Sequence, residues 1–225
     1  MSPEQNDPPD SNHRFAFTDI REAKSAAESC KSCALWKRAT QTVFGEGPVP
    51  AQVMLVGEQP GDYEDVSGHS FVGPAGRLLD DALDQAGIDR ALAYVTNAVK
   101  HFKWEPLGKR RLHKKPAARE VEACRPWLLT ELKLVQPRLV VCLGATAVTS
   151  LLGKEVRITA NRGKFFESNF APNVLVTVHP SAILRAQDEE TRNLEFARFV
   201  EDLREAAGFL RAQADHGGRL RQRIR

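Results

Sequence analysis

The chain has 225 residues, 42% of them hydrophobic and 27% charged, enough apolar surface for one ordinary domain and too much for global disorder. The longest apolar run, Leu139 to Val148, is broken by Gly144 and Thr146, so no membrane span is expected. The net charge of +3 hides a segregation: residues 100–119 carry eight Lys or Arg against one acid, and residues 211–225 carry five Arg against Asp215. The rest of the chain is acidic, so the basic segments suggest a loop and tail that face a polyanion, or else a solvated basic loop.

The opening MSPEQNDPPDSN is polar and lacks the basic-then-apolar order of an export signal, so a cytoplasmic protein is expected, with residues 1–14 disordered; a monomer is also expected. A single domain is expected over 15–210, followed by a basic tail over 211–225. Periodicity predicts a first helix over Phe17–Cys30. Four nearly continuous apolar runs, Gln52–Gly57, Ala93–Val99, Arg138–Leu143 and Val174–Val178, read as strands buried on both faces. Helical patterns over Gly76–Ala86, Glu120–Val135, Ala145–Leu152 and Thr191–Leu210 lie between and after them. Alternating strands and helices predict a three-layer α/β/α fold around a four-stranded, mainly parallel sheet. Such sheets bind ligands at the carboxyl ends of their strands.

The unusual residues gather at those ends. After the first strand comes GEQPGDYED (57–65), a tight Gly-Pro turn with four acids. Alone it is as readily an acidic surface turn as a site. FVGPAGR (71–77) places Phe71 beside a second such turn, as a stacking platform or as plain core. Asn97 ends the second strand and offers one donor and one acceptor edge, which suits a nucleobase as well as a turn. HPSAILR (179–185) follows the fourth strand. His179 there is a candidate donor to a developing anion, and Ile183 to Arg185 a candidate wedge with a phosphate contact, or simply a capping turn. The basic run GKRRLHKKP (108–116) contains His113, whose cationic neighbours should keep it neutral, either as a nucleophile or as an ordinary surface histidine amid cations.

Of four cysteines, two form Cys30-Lys31-Ser32-Cys33. Without an export signal a disulfide scaffold is not expected, which leaves a metal or cluster site or plain buried thiols.

Seven segments in order, GEQPGDYED, FVGPAGRLLD, YVTNAVKHF, KRRLH, ACRPWL, VVCLGATA and HPSAILR, resemble the uracil-DNA glycosylase superfamily over about residues 28–205. The resemblance is to its iron–sulfur branch and, through KRRLH, to the UdgX type. It implies a flipped uracil stacked on Phe71, read by Asn97 and relieved of its developing charge by His179. Glu58 and Asp62 would act at the sugar. Gln59, Asp65, Arg111, Ser181 and Arg185 complete the candidate substrate contacts. His113 is implied to attack C1′ and stay bonded to the DNA, with Glu58 orienting its ring. The implied cofactor is a [4Fe–4S] cluster on Cys30, Cys33 and Cys124, with His101 replacing the remaining cysteine. Cys142 as that ligand and a Cys₃His zinc site are the competing readings. The implied partner is uracil-containing DNA, preferably single-stranded because no pairing opposes flipping, with free uracil as product. A conventional glycosylase that uses water, or a non-catalytic cluster-bearing single-strand binder, are the alternative functions.

Overall fold

A computed structural model describes residues 17–222 of the chain. The lead expected over 1–14 lies outside the described residues. The first helix, α1 (Ile20–Glu28), starts where Asp19 accepts the backbone N–H of Arg21 at 2.7 Å. After β1 (Val53–Gly57) come a short α2 (Asp62–Ser67) and α3 (Pro74–Ala86), which opens on a proline suited to a first helical turn. The strand β2 (Ala93–Asn97) leads into a hairpin, β3 (Trp104–Leu107) and β4 (Arg110–His113), where sequence reading expected only a basic loop. Next are α4 (Ala118–Val135), β5 (Leu139–Leu143), α5 (Ala145–Leu152), a single turn α6 (Ile158–Asn161), β6 (Phe165–Ser168), β7 (Ala171–Thr177), α7 (Pro180–Leu184) and α8 (Glu189–Gln222). The last helix runs on past Leu210, and residues 223–225 of the expected basic tail lie outside the described residues. Among the described residues no helix is long and apolar enough to cross a membrane.

The sheet has five strands, in the order β2-β1-β5-β7-β6. The four expected strands are mutually parallel, and β6 adds an antiparallel edge. The expected count of four therefore missed β6, a short strand of mixed burial that lacks the continuous apolar run of its neighbours. Alternation along each strand divides the core. Val53 and Leu55 of β1 meet Leu79 and Leu83 of α3 and Phe199 and Leu203 of α8. Met54 and Val56 meet Leu128 and Leu132 of α4 and Val148 and Leu151 of α5. This is the expected three-layer arrangement. Leu79, Leu83 and Leu203 are fully buried, and truncating any one to alanine should cost about 2–5 kcal/mol.

Strand order reverses between β1 and β5. Their carboxyl ends, at Gly57 and Leu143, diverge there and open a crevice, as in other open parallel sheets.

Candidate active site

At the mouth of this crevice is a cavity of about 260 Å³, lined by Gln59, Asp62, Phe71, Asn97, His113 and His179 among others. It is smaller than the ~300–1,000 Å³ of sites for drug-sized ligands and suits a single base-sized ring. Its floor depends on Gly57, paired in register with Asn97. A Cβ at Gly57 would come within 2.4 Å of Asn97 Oδ1 and 2.6 Å of Phe71 Cζ. Glycine is therefore what allows the amide and the ring to lie side by side. Phe71 itself sits at φ 58°, a left-handed backbone that a large side chain rarely adopts. A Cβ at Gly76 would stand 1.6 Å from Phe71 O, so the tight turn needs glycine there too. Backbone strain of this kind gathers at ligand clamps. Asn97 is buried, and its amide makes no hydrogen bond among the described residues, which leaves its donor and acceptor for the cavity.

The opposite wall comes from the end of β7. His179 caps α7, its Nδ1 accepting the backbone N–H of Ser181 at 3.1 Å and lying 2.8 Å from Ser181 Oγ. That bond fixes the tautomer, so the proton sits on Nε2. Burial, then Arg185 and His113, push the imidazole down to about 4, so it is a neutral donor. Its ring lies 5.9 Å from that of Phe71. Gly144, at φ 94°, makes room for it, since a Cβ there would meet His179 Cβ at 2.9 Å.

The hairpin brings His113 to the same cavity. His113 ends β4 opposite Trp104, at the base of the hairpin and not at its tip, and its ring lies 5.9 Å from Phe102. Gln59 ties this base down. Its Oε1 accepts the backbone N–H of Lys103 at 3.1 Å, which turns its Nε2 toward the Lys114 carbonyl at 3.1 Å and His113 Nε2 at 2.9 Å. An amide N–H donates there, so His113 Nε2 carries a lone pair. Glu58 Oε1 stands 3.8 Å from the same nitrogen, while its other oxygen accepts the Thr146 hydroxyl across the crevice. The His113 pKa is lowered, as expected, but first by burial and only then by Arg185, against an opposing pull from Glu58.

The remaining predicted residues divide. Gln59, Asp62, Ser181 and Arg185 line the cavity with the others. Asp65 and Arg111 do not. Asp65 is fully buried, accepting from Thr40 and from Arg111 Nη1 at 2.5 Å, and Arg111 also meets Asp62 Oδ1 at 2.5 Å. Arg111 stacks near Phe102 and Trp104. This ion triad latches the hairpin to the acidic turn. Sequence reading missed Glu64, whose carboxylate accepts the backbone N–H groups of Gly61 and Gly73 at 3.0 and 2.8 Å and so joins the two glycine turns.

Residues 44–204 match the uracil DNA glycosylase superfamily. The chain is 35% identical over 187 residues to a type-4 uracil-DNA glycosylase of Thermotoga maritima, covering 83% of this chain and 92% of that protein. It is 35% identical over 174 residues to a type-4 uracil-DNA glycosylase of Pyrobaculum aerophilum, covering 74% and 85%. This chain belongs to the uracil-DNA glycosylase superfamily. Its three-layer α/β/α arrangement is thus a uracil-DNA glycosylase fold.

In this superfamily member the cysteines lie apart from the pocket. Cys30, Cys33 and Cys124 share one small cluster with Ala27, Leu35, Phe44 and Trp127, where α1 packs on α4. The Trp127 indole donates to Cys30 Sγ and the Lys100 backbone N–H to Cys124 Sγ, each at 3.2 Å, as suits thiolate sulfur. Burial raises the Cys33 thiol and pushes that of Cys124 up to about 12. His101 is buried with Nε2 at 2.9 Å from Thr42 Oγ1. As the side chains stand, no three His, Cys, Asp or Glu among the described residues converge closely enough to hold a metal ion. Cys142 is buried in β5 on the α4 side, among Met54, Val140 and Val176.

A buried ion pair connects the two regions. Lys100 Nζ lies 2.5 Å from Glu131 Oε2 and 2.6 Å from Thr96 Oγ1, and it donates to the Asn97 carbonyl at 2.8 Å. Glu131 also accepts from Gly45 N–H and the Tyr94 hydroxyl. No periodicity in the sequence marks this pair.

Proposed function

We propose that this chain excises uracil from DNA and is then captured on the abasic sugar by His113. The observation that carries the reading is that one base-sized cavity holds Phe71, Asn97, His179 and His113 together. Uracil would stack on Phe71 and present its edge to Asn97. As the N-glycosidic bond breaks, its electron pair leaves with the base and the sugar becomes electron-poor. The Nε2–H of His179, already oriented by Ser181, meets the charge growing on the base without needing to titrate. Glu58, 3.8 Å from His113 Nε2, and Asp62, which lines the cavity, would serve as the anions near the sugar.

The lone pair of His113 Nε2 then forms the C–N bond to C1′, its ring proton passes to solvent, and the departing uracil anion takes up a proton. The nitrogen must first leave the Gln59 amide. A held imidazole has a large effective concentration over water, so capture outruns hydrolysis. The resulting bond has no good leaving group, and turnover is poor. Single-stranded DNA is the favoured substrate because no partner base holds the uracil in a stack.

We further infer that Cys30, Cys33, Cys124 and His101 hold a [4Fe–4S] cluster. The chemistry of three clustered thiols with N–H donors suits it, although these side chains must draw together on binding. The cluster would supply cross-linking between the N-terminal segment and α4. The test of capture is a denaturing gel of protein mixed with a uracil oligonucleotide. A slow-migrating species is expected for the native chain and none for His113→Ser. A slow species in both would remove His113 from the assignment.

A further inference from the structure

Two larger clefts continue from the base-sized cavity. The first, about 600 Å³, is lined by Glu58, His113, Lys115, Ala145 and Arg185 among others. The second, about 700 Å³, shares Lys115 and Ala145 with it and runs between α4 and α5 past Arg119, Arg125, Thr149 and Lys154. Together they form a trough that leaves the cavity at His113, passes between the hairpin base and the start of α5, and follows the α5 flank. The eight residues of α5 make that flank about 12 Å long, room for roughly two or three phosphates of a single strand.

The cations along it differ from those of the hairpin. Arg111 is neutralised by Asp62 and Asp65, and Lys114 meets Glu105 at 3.1 Å. By contrast Arg185, Lys115, Arg119 and Lys154 have no carboxylate partner among the described residues. Lys115, Arg119 and Lys154 are exposed. Arg125 shares Glu122 at 3.5 Å and lies over the Phe170 ring. The carboxylates lining the trough among the described residues are Glu58 and Glu122, the first already bonded to Thr146. Unpaired cations along one side of a continuous groove fit an extended polyanion better than a compact ligand.

We propose that this trough carries the DNA strand on one side of the flipped nucleotide, with Lys115, Arg119 and Lys154 on successive phosphates. The proposal rests on the excision reading and adds to it a path for the strand on one side of the flipped nucleotide.

The test compares native protein with an Arg119→Glu/Lys154→Glu variant. Binding to single-stranded oligonucleotides is read by fluorescence anisotropy across a salt series. For long DNA the variant should bind about tenfold more weakly. Its plot of log affinity against log salt should be flatter by about 1.4, from two lost contacts at ~0.7 each. The loss should persist when the strand extends on one side of the uracil and vanish when it extends only on the other. An Arg119→Gln/Lys154→Gln variant loses the same two contacts, so it should flatten the plot by about the same amount with a smaller fall in affinity. A Lys109→Glu/Arg110→Glu variant at the hairpin tip serves as the control. The proposal is overturned by unchanged affinity and slope in the trough variants, by an equal loss in the tip variant, or by loss regardless of side. Uracil release by the native protein is measured separately. Its absence would remove the excision reading and leave the binding result standing on its own.

Discussion

The buried pair of Lys100 and Glu131 offers the sharpest energetic test, because it joins stability to the reading of the base. The two side chains are 1% and 0% exposed. Replacing Lys100 by methionine leaves Glu131 buried without its counter-ion, which costs about 3–5 kcal/mol. For a chain of this size each kcal/mol lowers the melting midpoint by about 2–4 °C, so a fall of about 6–20 °C is expected by calorimetry. Removing both charges, as in Lys100→Met/Glu131→Gln, takes away the orphaned anion while keeping an acceptor for the Gly45 N–H and the Tyr94 hydroxyl, and should return much of that loss. Uracil release should not return with it, because the Asn97 carbonyl has lost its Nζ donor and the end of β2 is free to shift. A single variant that melts within about 2 °C of the native protein, or a double variant as unstable as the single, would refute the reasoning.

Three further outcomes follow from the pocket. The depressed pKa values of His113 and His179 favour their neutral forms in the folded chain, so acid protonates them more readily when unfolded. Their contribution to stability is complete above about 6.5 and is lost as pH falls, for His179 down through about 4, so chemical denaturation of His179→Asn should show a weaker pH dependence over that window. Gln59→Leu removes the amide that holds the hairpin base and His113 Nε2, and it should lower the ratio of adduct to free uracil by tenfold or more, read from quenched time courses. Gly57→Ala would drive a methyl into Asn97 and Phe71, and uracil release should fall by at least a hundredfold while the melting midpoint drops by only a few degrees.

The parallel strands were legible because burial on both faces demands unbroken apolar runs, and Val53–Gly57 and Leu139–Leu143 supply them. The edge strand β6 was not, because a half-covered edge mixes Phe165 and Phe166 with Glu167 and Ser168. The hairpin was hidden by its own cations: Arg110 and Arg111 read as loop, and the turn at Gly108, with φ 58°, was the one cue to a two-residue reversal. Among the site residues, Asn97 and His179 stood out at strand ends, Phe71 beside a turn and His113 in the basic run, but only the family resemblance gave them roles; the fold gathers them round one cavity. Asp65 and Arg111 were expected as substrate contacts from their places in the family motifs, but the fold turns them on each other. Their mutual neutralisation depends on a contact between segments 46 residues apart, which no local pattern encodes. The same holds for Lys100 and Glu131, and for the Gln59 bond that fixes which nitrogen of His113 bears the proton.

The central claim is that a neutral imidazole at the hairpin base bonds to the sugar carbon that loses uracil. Intact-protein mass spectrometry after mixing with a uracil oligonucleotide tests it most directly. The account predicts a species heavier than the protein by the oligonucleotide less uracil, with tandem fragmentation placing the added mass on His113. Free uracil accumulating in many equivalents over protein of unchanged mass, or added mass on another residue, would contradict it.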